Sequence, residues 1–290
     1  MNRILVPTDF STNSVAGIQF AMHLANITGA ELEFIYVSYL HTSAYQLGHV
    51  TEENVGIDNE KEKSPYLSKL EIFVSAIYAE MDMSPKKYTL QVIHGVRADS
   101  AILNYTEKHQ QFDYICMSSK GAGSIDRIFG TNTGNLVTKS IIPVIVVPQL
   151  FKVGTITKIV YASDLLDFDI ELKKVLAFAK PMQSPVEIVH FAPDISLVPD
   201  EYINQDYSEK YEYGLSFHFE KTNPLHTLLR NLRDKITVMK PSLLVLFTKQ
   251  DRSFFQKLFL FSVAEGLSFQ AIVPMLIINK TKKIDKTKRP

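Results

Sequence analysis

Short β-branched runs that end on polar residues alternate along the chain with longer stretches whose apolar positions recur at helical spacing. The first kind reads as buried parallel strands and the second as amphipathic helices laid on a sheet. Residues 2–10, Asn-Arg-Ile-Leu-Val-Pro-Thr-Asp-Phe, predict a strand whose carboxyl end opens onto a polar loop at Asp9. Ser11 and Ser14 then offer helix caps, and Val15, Ile18, Met22 and Ala25 share one face until Gly29 ends the run. A strand follows at 31–37, then a helix at 64–83 with Leu67, Leu70, Val74, Ile77 and Met81 along one stripe and Pro85 beyond its end. The segment between them, 38–63, is polar and without a clear period, and reads as a loop or lid. A strand at 90–94, a helix at 98–109, a strand at 114–118, a helix at 132–139 and a strand at 143–147 complete the first half.

The second half repeats this order. Thr-Lys-Ile-Val-Tyr-Ala-Ser-Asp-Leu at 157–165 echoes residues 2–10, and Ile-Val-Pro-Met-Leu-Ile-Ile at 272–278 answers Ile-Ile-Pro-Val-Ile-Val-Val at 141–147. A repeat that closes on its own last strand is a whole domain rather than a solenoid period. The expected elements are a strand at 159–162, a helix at 170–180, strands at 186–191 and 215–219, a helix at 225–239, a strand at 243–247, a helix at 263–269 and a strand at 274–278. The helix between the second and third of these strands is expected to be short or absent, because 199–213 is polar and rich in tyrosine. Alternating strands and helices predict an α/β fold of two repeated doubly wound domains with parallel sheets, at 1–150 and 151–280. The basic residues 281–290 read as a solvated, disordered tail.

Composition narrows the function classes. Acidic and basic residues number 31 each, so zero net charge argues against a nucleic-acid partner. No apolar run approaches the ~18 residues of a membrane span, and Pro7 and Asp9 interrupt the opening before it could serve as a secretory signal, so a cytoplasmic location is expected. Cys116 is alone and reads as a small buried hydrophobe. His41, His49, Glu52 and Glu53 match no zinc spacing, and no nucleophile elbow or Ser-His-Asp pattern is present, so neither a metal site nor a catalytic residue is assigned.

Ligands of open α/β sheets bind beyond the carboxyl ends of the strands. Three first-half segments end there: Pro7-Thr8-Asp9, then Gly95-Val96-Arg97, then Ser118-Ser119-Lys120-Gly121-Ala122-Gly123-Ser124, which runs on to Gly130-Thr131-Asn132 at a helix start. Glycines there let backbone amides point inward, and with the positive helix end they suit an anion such as phosphate. The order Lys120-Gly121 is not a Walker loop, and no Gly-x-Gly-x-x-Gly follows the first strand. A purely structural turn is the competing reading.

Residues 4–11, together with 118–133 and 142–148, resemble the opening and close of the universal stress protein family, closely in the first half and loosely in the second. In the family's glycine motif Ser118 takes the first glycine position, Gly121 the second and Gly130-Thr131 the final pair, and eight residues separate Gly121 from Gly130, one fewer than the family pattern. The resemblance implies the adenine nucleotide alpha hydrolase-like fold and an intramolecular pseudo-dimer paired through the last strands. It also implies an adenine nucleotide ligand, ATP or AMP, with Mg accompanying ATP. Asp9 and Val37 would face base or ribose, and Gly121, Gly130, Thr131 and Asn132 the phosphates, with Pro7, Thr8, Gly95, Ser118 and Ser119 completing the site. Asp9 as a cap of the turn after the first strand is the structural alternative.

The second half has no glycine from Thr248 to Ala264, and Phe254, Phe255, Phe259 and Phe261 occupy that stretch. Phenyl rings offer no donor to phosphate, so this half is expected not to hold ATP by the same route. The resulting expectation is a regulatory, stress-response module that senses a nucleotide or another small molecule and acts on a protein partner, with a homodimer as a further possible assembly. Three rivals stay open: a slow ATP hydrolase using Asp9, Lys120 and Thr131; a scaffold without nucleotide; and a second-half crevice that takes an apolar small molecule or lipid, for which His190 would be a lining residue.

Overall fold

The computed structural model describes residues 1–39, 60–119, 131–248 and 273–280, with side chains described from Ser64 in the helix that begins at Glu60 and from Asn132 in the one that begins at Thr131. Outside them lie His41, His49, Glu52, Glu53, Gly121, Gly130, Phe254, Phe255, Phe259, Phe261, the expected helix at 263–269 and the tail.

The first half runs β1 (Arg3–Thr8), α1 (Val15–Thr28), β2 (Glu31–Tyr39), α2 (Glu60–Glu80), β3 (Tyr88–Gly95), α3 (Ala98–Lys108), β4 (Tyr114–Ser118), α4 (Thr131–Lys139) and β5 (Val144–Val147). The second runs β6 (Ile159–Ala162), α5 (Phe168–Ala179), β7 (Val186–Ala192), the short α6 (Asp200–Asn204) and α7 (Tyr207–Tyr211), β8 (Leu215–Lys221), α8 (Leu228–Met239), β9 (Leu243–Thr248) and β10 (Met275–Asn279). All ten strands form one sheet in the order β3-β2-β1-β4-β5-β10-β9-β6-β7-β8. Each half therefore repeats the same order from its outer strand to its last one, and every described strand pair is parallel except β5 with β10.

Successive strand residues point to opposite faces, which sorts the core. Ile4 and Val6 join Ile18, Leu70 and Val74 of α1 and α2 on one face, where Ile159, Tyr161 and Leu172 continue the cluster into the second half. Leu5 joins Ile102 and Leu136 of α3 and α4 on the other, where Val160, Leu232 and Ile236 do the same. The two cores thus run unbroken across the middle of the sheet. There Val144, Ile145 and Val146 face Ile277, Leu276 and Met275 in antiparallel register, all of them buried. Asn279 ties the seam at one end: its Nδ2 donates to the carbonyls of Val137 (3.1 Å) and Ser140 (2.6 Å) at the end of α4, and its Oδ1 accepts from Thr248 Oγ1 at 2.8 Å. The free carbonyls of a first-half helix are thereby satisfied by a second-half side chain.

Several boundaries differ from expectation for local reasons. β2 runs on to Tyr39 because Ser38 and Tyr39 keep pairing with His94 and Gly95 of β3. α2 starts at Glu60, in a Glu-Lys-Glu-Lys run of good helix formers, and ends at Glu80, before Asp82 takes a left-handed φ of 51°. α8 begins three residues later than the pattern suggests, because Thr227 Oγ1 caps it by accepting from the Arg230 amide at 3.2 Å. The tyrosine-rich stretch makes two five-residue helices, whose Tyr202 and Tyr207 rings stand edge-on to the buried Phe168.

The caps expected for α1 are also reassigned. Ser14 occupies the cap position but makes no capping bond; its hydroxyl pairs with Thr8 Oγ1 at 2.9 Å and donates to the Ser11 carbonyl at 2.8 Å. The acceptor for a free first-turn amide comes instead from Ser118 Oγ, 2.8 Å from the Gly17 nitrogen. This contact needs glycine, since a Cβ at residue 17 would stand 2.5 Å from the Ser118 nitrogen and 2.6 Å from the Met117 carbonyl carbon. Gly17→Ala is therefore expected to lower stability by roughly 1–3 kcal/mol, the usual cost of overpacking, and urea unfolding monitored by circular dichroism would measure it. An unchanged midpoint would mean that α1 does not approach β4 this closely.

Candidate functional site

Both halves leave their central strand through the same turn. Phe10 and Leu165 take left-handed φ values of 62° and 63°, a conformation apolar L-residues avoid unless something holds them. Here Thr8 Oγ1 accepts from the Phe10 amide at 3.2 Å and Ser163 Oγ from the Leu165 amide at 3.1 Å. One residue on, Asp9 Oδ1 accepts from the Ser11 amide and Asp164 Oδ1 from the Leu166 amide, each at 3.0 Å. Each aspartate thus fastens its own turn.

In the first half the carboxyl ends of β1 and β4 lie side by side, since β1 pairs with β2 on one flank and β4 on the other. Thr8 is buried and Pro7 half-buried, Asp9 is exposed, and Val37 is buried near the end of β2. Ser118 and Ser119 are buried at the end of β4. Ser118 Oγ is used by Gly17, its carbonyl accepts from Thr133 Oγ1 at 3.3 Å, and the Ser119 amide donates to the Val147 carbonyl at 2.7 Å. The bond from Thr133 draws the start of α4, with Thr131 as its first residue and Asn132 exposed beside it, toward the end of β4. Gly95 ends β3, two strands from β1, and serves packing: a Cβ there would stand 2.7 Å from the Ala101 methyl.

Sequence reasoning placed Arg97 at a strand end without giving it a role and passed over Asp99. Arg97 donates from Nε and Nη2 to the two oxygens of Asp99, at 3.2 and 3.0 Å, and Asn135 Nδ2 of α4 donates to Asp99 Oδ2 at 2.7 Å. Asp99 is fully buried, whereas Arg97 is largely exposed. Burial alone would raise the Asp99 carboxyl, but the bonds from Arg97 and Asn135 outweigh it and hold it below the usual aspartate value. The result is a cation fixed beside α4. An Arg-x-Asp pair at the start of a helix after a strand-end glycine was the available signal.

The second half holds a cavity of about 500 Å³ at the carboxyl ends of β6, β7 and β9, walled on one side by the first turns of α8. Its described lining is mostly apolar and includes Val189, Phe191, Leu229, Leu246 and Phe247. At its polar end Lys280 Nζ lies 2.8 Å from Asp164 Oδ2 and 2.8 Å from Glu171 Oε1. The second contact is an ion pair outside hydrogen-bonding geometry. Tyr161 donates its hydroxyl to Glu171 Oε2, and Ser163 Oγ lies 2.9 Å from that hydroxyl. Burial tends to lower the Lys280 ammonium, but Asp164 and Glu171 more than compensate and keep it above the ordinary lysine value. His190 lines the cavity, and its Nδ1 stands 2.9 Å from the Ser163 carbonyl, so this nitrogen carries the proton.

No described helix is long and apolar enough to cross a membrane, and no group of three His, Cys, Asp or Glu among the described residues could hold a metal ion. The family model of the universal stress protein family matches residues 1–148. A universal stress protein from Archaeoglobus fulgidus DSM 4304 is similar over 96% of this chain and 98% of its own, with a TM-score of 0.68 at 16% identity. A protein from Pseudomonas aeruginosa UCBPP-PA14 is similar over 96% of this chain and 93% of its own, with a TM-score of 0.60 at 12% identity. The cytoplasmic domain of a prokaryotic cation chloride cotransporter is similar over 95% of this chain and 94% of its own, with a TM-score of 0.50 at 10% identity. At such identities these likenesses establish the fold alone. A comparison with curated proteins finds no match.

The Asp99 cluster carries a pH signature. Because its carboxyl is held low in the folded protein, ionised Asp99 adds stability that is fully present above the unfolded value of about 3.9 and is lost as pH falls through the lower folded value. The stability gap between wild type and Asp99→Asn in urea should therefore be constant from pH 7 to 5 and narrow at lower pH. A gap that is independent of pH would contradict the ionised pairing.

Proposed function

The chain belongs to the universal stress protein family, and on that premise we propose that it is a regulatory module that binds an adenine nucleotide, ATP or AMP, in the first-half crevice without turning it over. The observation that carries this reading is the bond from Thr133 to the Ser118 carbonyl, which draws the start of α4 toward the end of β4. Unpaired amides and the positive end of a helix favour a phosphate there. Arg97, held by Asp99, which Asn135 ties to the same helix, supplies a fixed positive charge on that side. Asp9 and Val37, at the ends of β1 and β2, are the candidates for base and ribose contacts, and Gly121, Gly130, Thr131 and Asn132 for the phosphates. Mg would arrive with ATP and be held largely by its phosphates.

A second reading, a scaffold that binds no nucleotide, is favoured by the internal use of side chains around the crevice. The Thr8 hydroxyl is paired with Ser14, the Ser118 hydroxyl with Gly17, and Asp9 with both the amide and the hydroxyl of Ser11. In either case the last-strand pairing that would join two single-domain copies is made within one chain. A homodimer would use another surface, and a protein partner would read the ligand state of the first half.

Titration of the purified protein with ATP, ADP and AMP, with and without Mg, decides between these readings. A nucleotide at a hundred times its dissociation constant should stabilise the protein by about 2.7 kcal/mol. The response should be lost in Gly130→Phe, which puts a donor-free ring at the glycine before the start of α4, and weakened in Arg97→Ala. No response in the wild type selects the scaffold, equal responses in wild type and Gly130→Phe reject the assigned crevice, and phosphate release at a steady rate rejects binding without turnover.

A further inference from the structure

The register of the sheet gives positions at the mouth of the first crevice their counterparts in the second. Leu5 faces Glu33 and Ile115, and Val160 faces Glu187 and Leu244, so Val37 corresponds to Phe191 and Ser118 to Phe247. An aliphatic and a hydroxyl side chain at two strand ends of the first half are thus phenyl rings in the second. The rings have not closed the crevice: a cavity of about 500 Å³ remains, lined by both of them and by Leu228, Leu229 and Leu232 from the first turns of α8.

The polar side chains of the described lining are engaged within the protein. Ser163 Oγ donates to the Tyr161 hydroxyl and accepts from the Leu165 amide, and that hydroxyl donates to Glu171. Lys280 pairs with Asp164 and Glu171, His190 Nδ1 with the Ser163 carbonyl, and Thr227 Oγ1 caps α8. A polar ligand would compete with these bonds and gain little net energy from its own. The remaining lining is apolar, so water there finds few partners and its replacement by hydrocarbon is favourable. The volume falls in the range of small-molecule sites. The two rings differ in their surroundings. Phe247 is braced edge-on against the buried Tyr161, with centroids 5.5 Å apart. Phe191 is half-buried and has no ring partner among the described residues, whereas Phe168, Tyr202, Tyr207, Tyr211 and Phe217 of the same half all have one. A ring taken into the cavity would supply the aromatic contact that Phe191 lacks.

We propose that the cavity of the second half is a binding site for a small apolar ring compound, held through its ring surface by Phe191, Phe247 and the α8 leucines and not through a charge. This site goes beyond the nucleotide reading and does not depend on it, since a nucleotide would occupy the first-half crevice.

The test titrates the full-length protein with N-phenyl-1-naphthylamine, a ring probe that is uncharged at neutral pH and whose fluorescence rises in apolar surroundings. It should bind one to one. Leu229→Trp and Ala162→Leu both fill the cavity, and each should weaken binding roughly tenfold or more, a difference of at least about 1.4 kcal/mol. Failure of one of them to fold leaves the other. Phe191→Leu, which keeps the wall apolar but removes its ring, should weaken binding several-fold. Ile72→Ser, on the exposed face of α2, should leave binding unchanged, as should saturating ATP. Absence of binding, several probe molecules per chain, or binding that survives both filling variants or is unaltered in Phe191→Leu would overturn the proposal. Loss of binding in Ile72→Ser or displacement of the probe by ATP would do the same.

Discussion

The antiparallel pairing of β5 with β10 is the contact on which the rest of the molecule depends. Each half ends in a short strand, Val144–Val147 in one and Met275–Asn279 in the other, apolar throughout but for the final Asn279. Alone, each would present unpaired amides and carbonyls beside bare apolar side chains at a sheet edge. Facing each other they remove both edges at once, merge ten strands into a single sheet and let one core on each face run through both halves. Asn279 adds a polar fastening by closing the carbonyl end of α4. The crevices at the ends of β1/β4 and β6/β9 therefore belong to one rigid frame.

Within that frame duplication preserved what the backbone requires and changed what a ligand would touch. The turn after the central strand recurs with Thr8 or Ser163 holding the next amide but one and Asp9 or Asp164 holding the following turn. The ion pair at the other end of the strands recurs too, as Arg3 with Glu33 and Lys158 with Glu187. Between these fixed points the first half keeps Val37, Ser118 and an arginine braced by a buried aspartate, which suits an anion at a helix start. The second half has Phe191, Phe247 and Lys280 around an apolar cavity. Two differently lined crevices follow from one architecture.

Much of the fold was legible because parallel strands buried on both faces leave nearly continuous apolar runs. Residues 114–118 and 159–162 match β4 and β6 at both ends, and the pairing of the last strands, implied by the resemblance, is present between two apolar runs. Element ends were less readable where long-range partners decide them: β2 follows its neighbour β3 to Gly95, and α2 stops where Asp82 turns left-handed. Cap assignment failed for the same reason, since the acceptor for the Gly17 amide comes from Ser118, far away in sequence. Asp9, which the resemblance marked for base or ribose with a turn cap as the alternative, does fasten its turn, and Asp164 does the same in the second half. The cavity was foreshadowed by the aromatic content of the second half and by His190 at a strand end. Its polar end was not, because Lys280 lies outside the repeat's recognisable motifs and meets Asp164 and Glu171 only through the sheet order.

Native-state hydrogen exchange of the β5 and β10 amides tests the central seam most directly. If the two strands close the sheet on each other, the amides of Ile145 and Leu276, directly opposed in the register, should exchange only through global unfolding, with protection equal to that of the central strand β1. Exchange of either strand at the faster rate of the outer strands β3 and β8 would contradict the account, because the two halves would then be separable units with exposed edges.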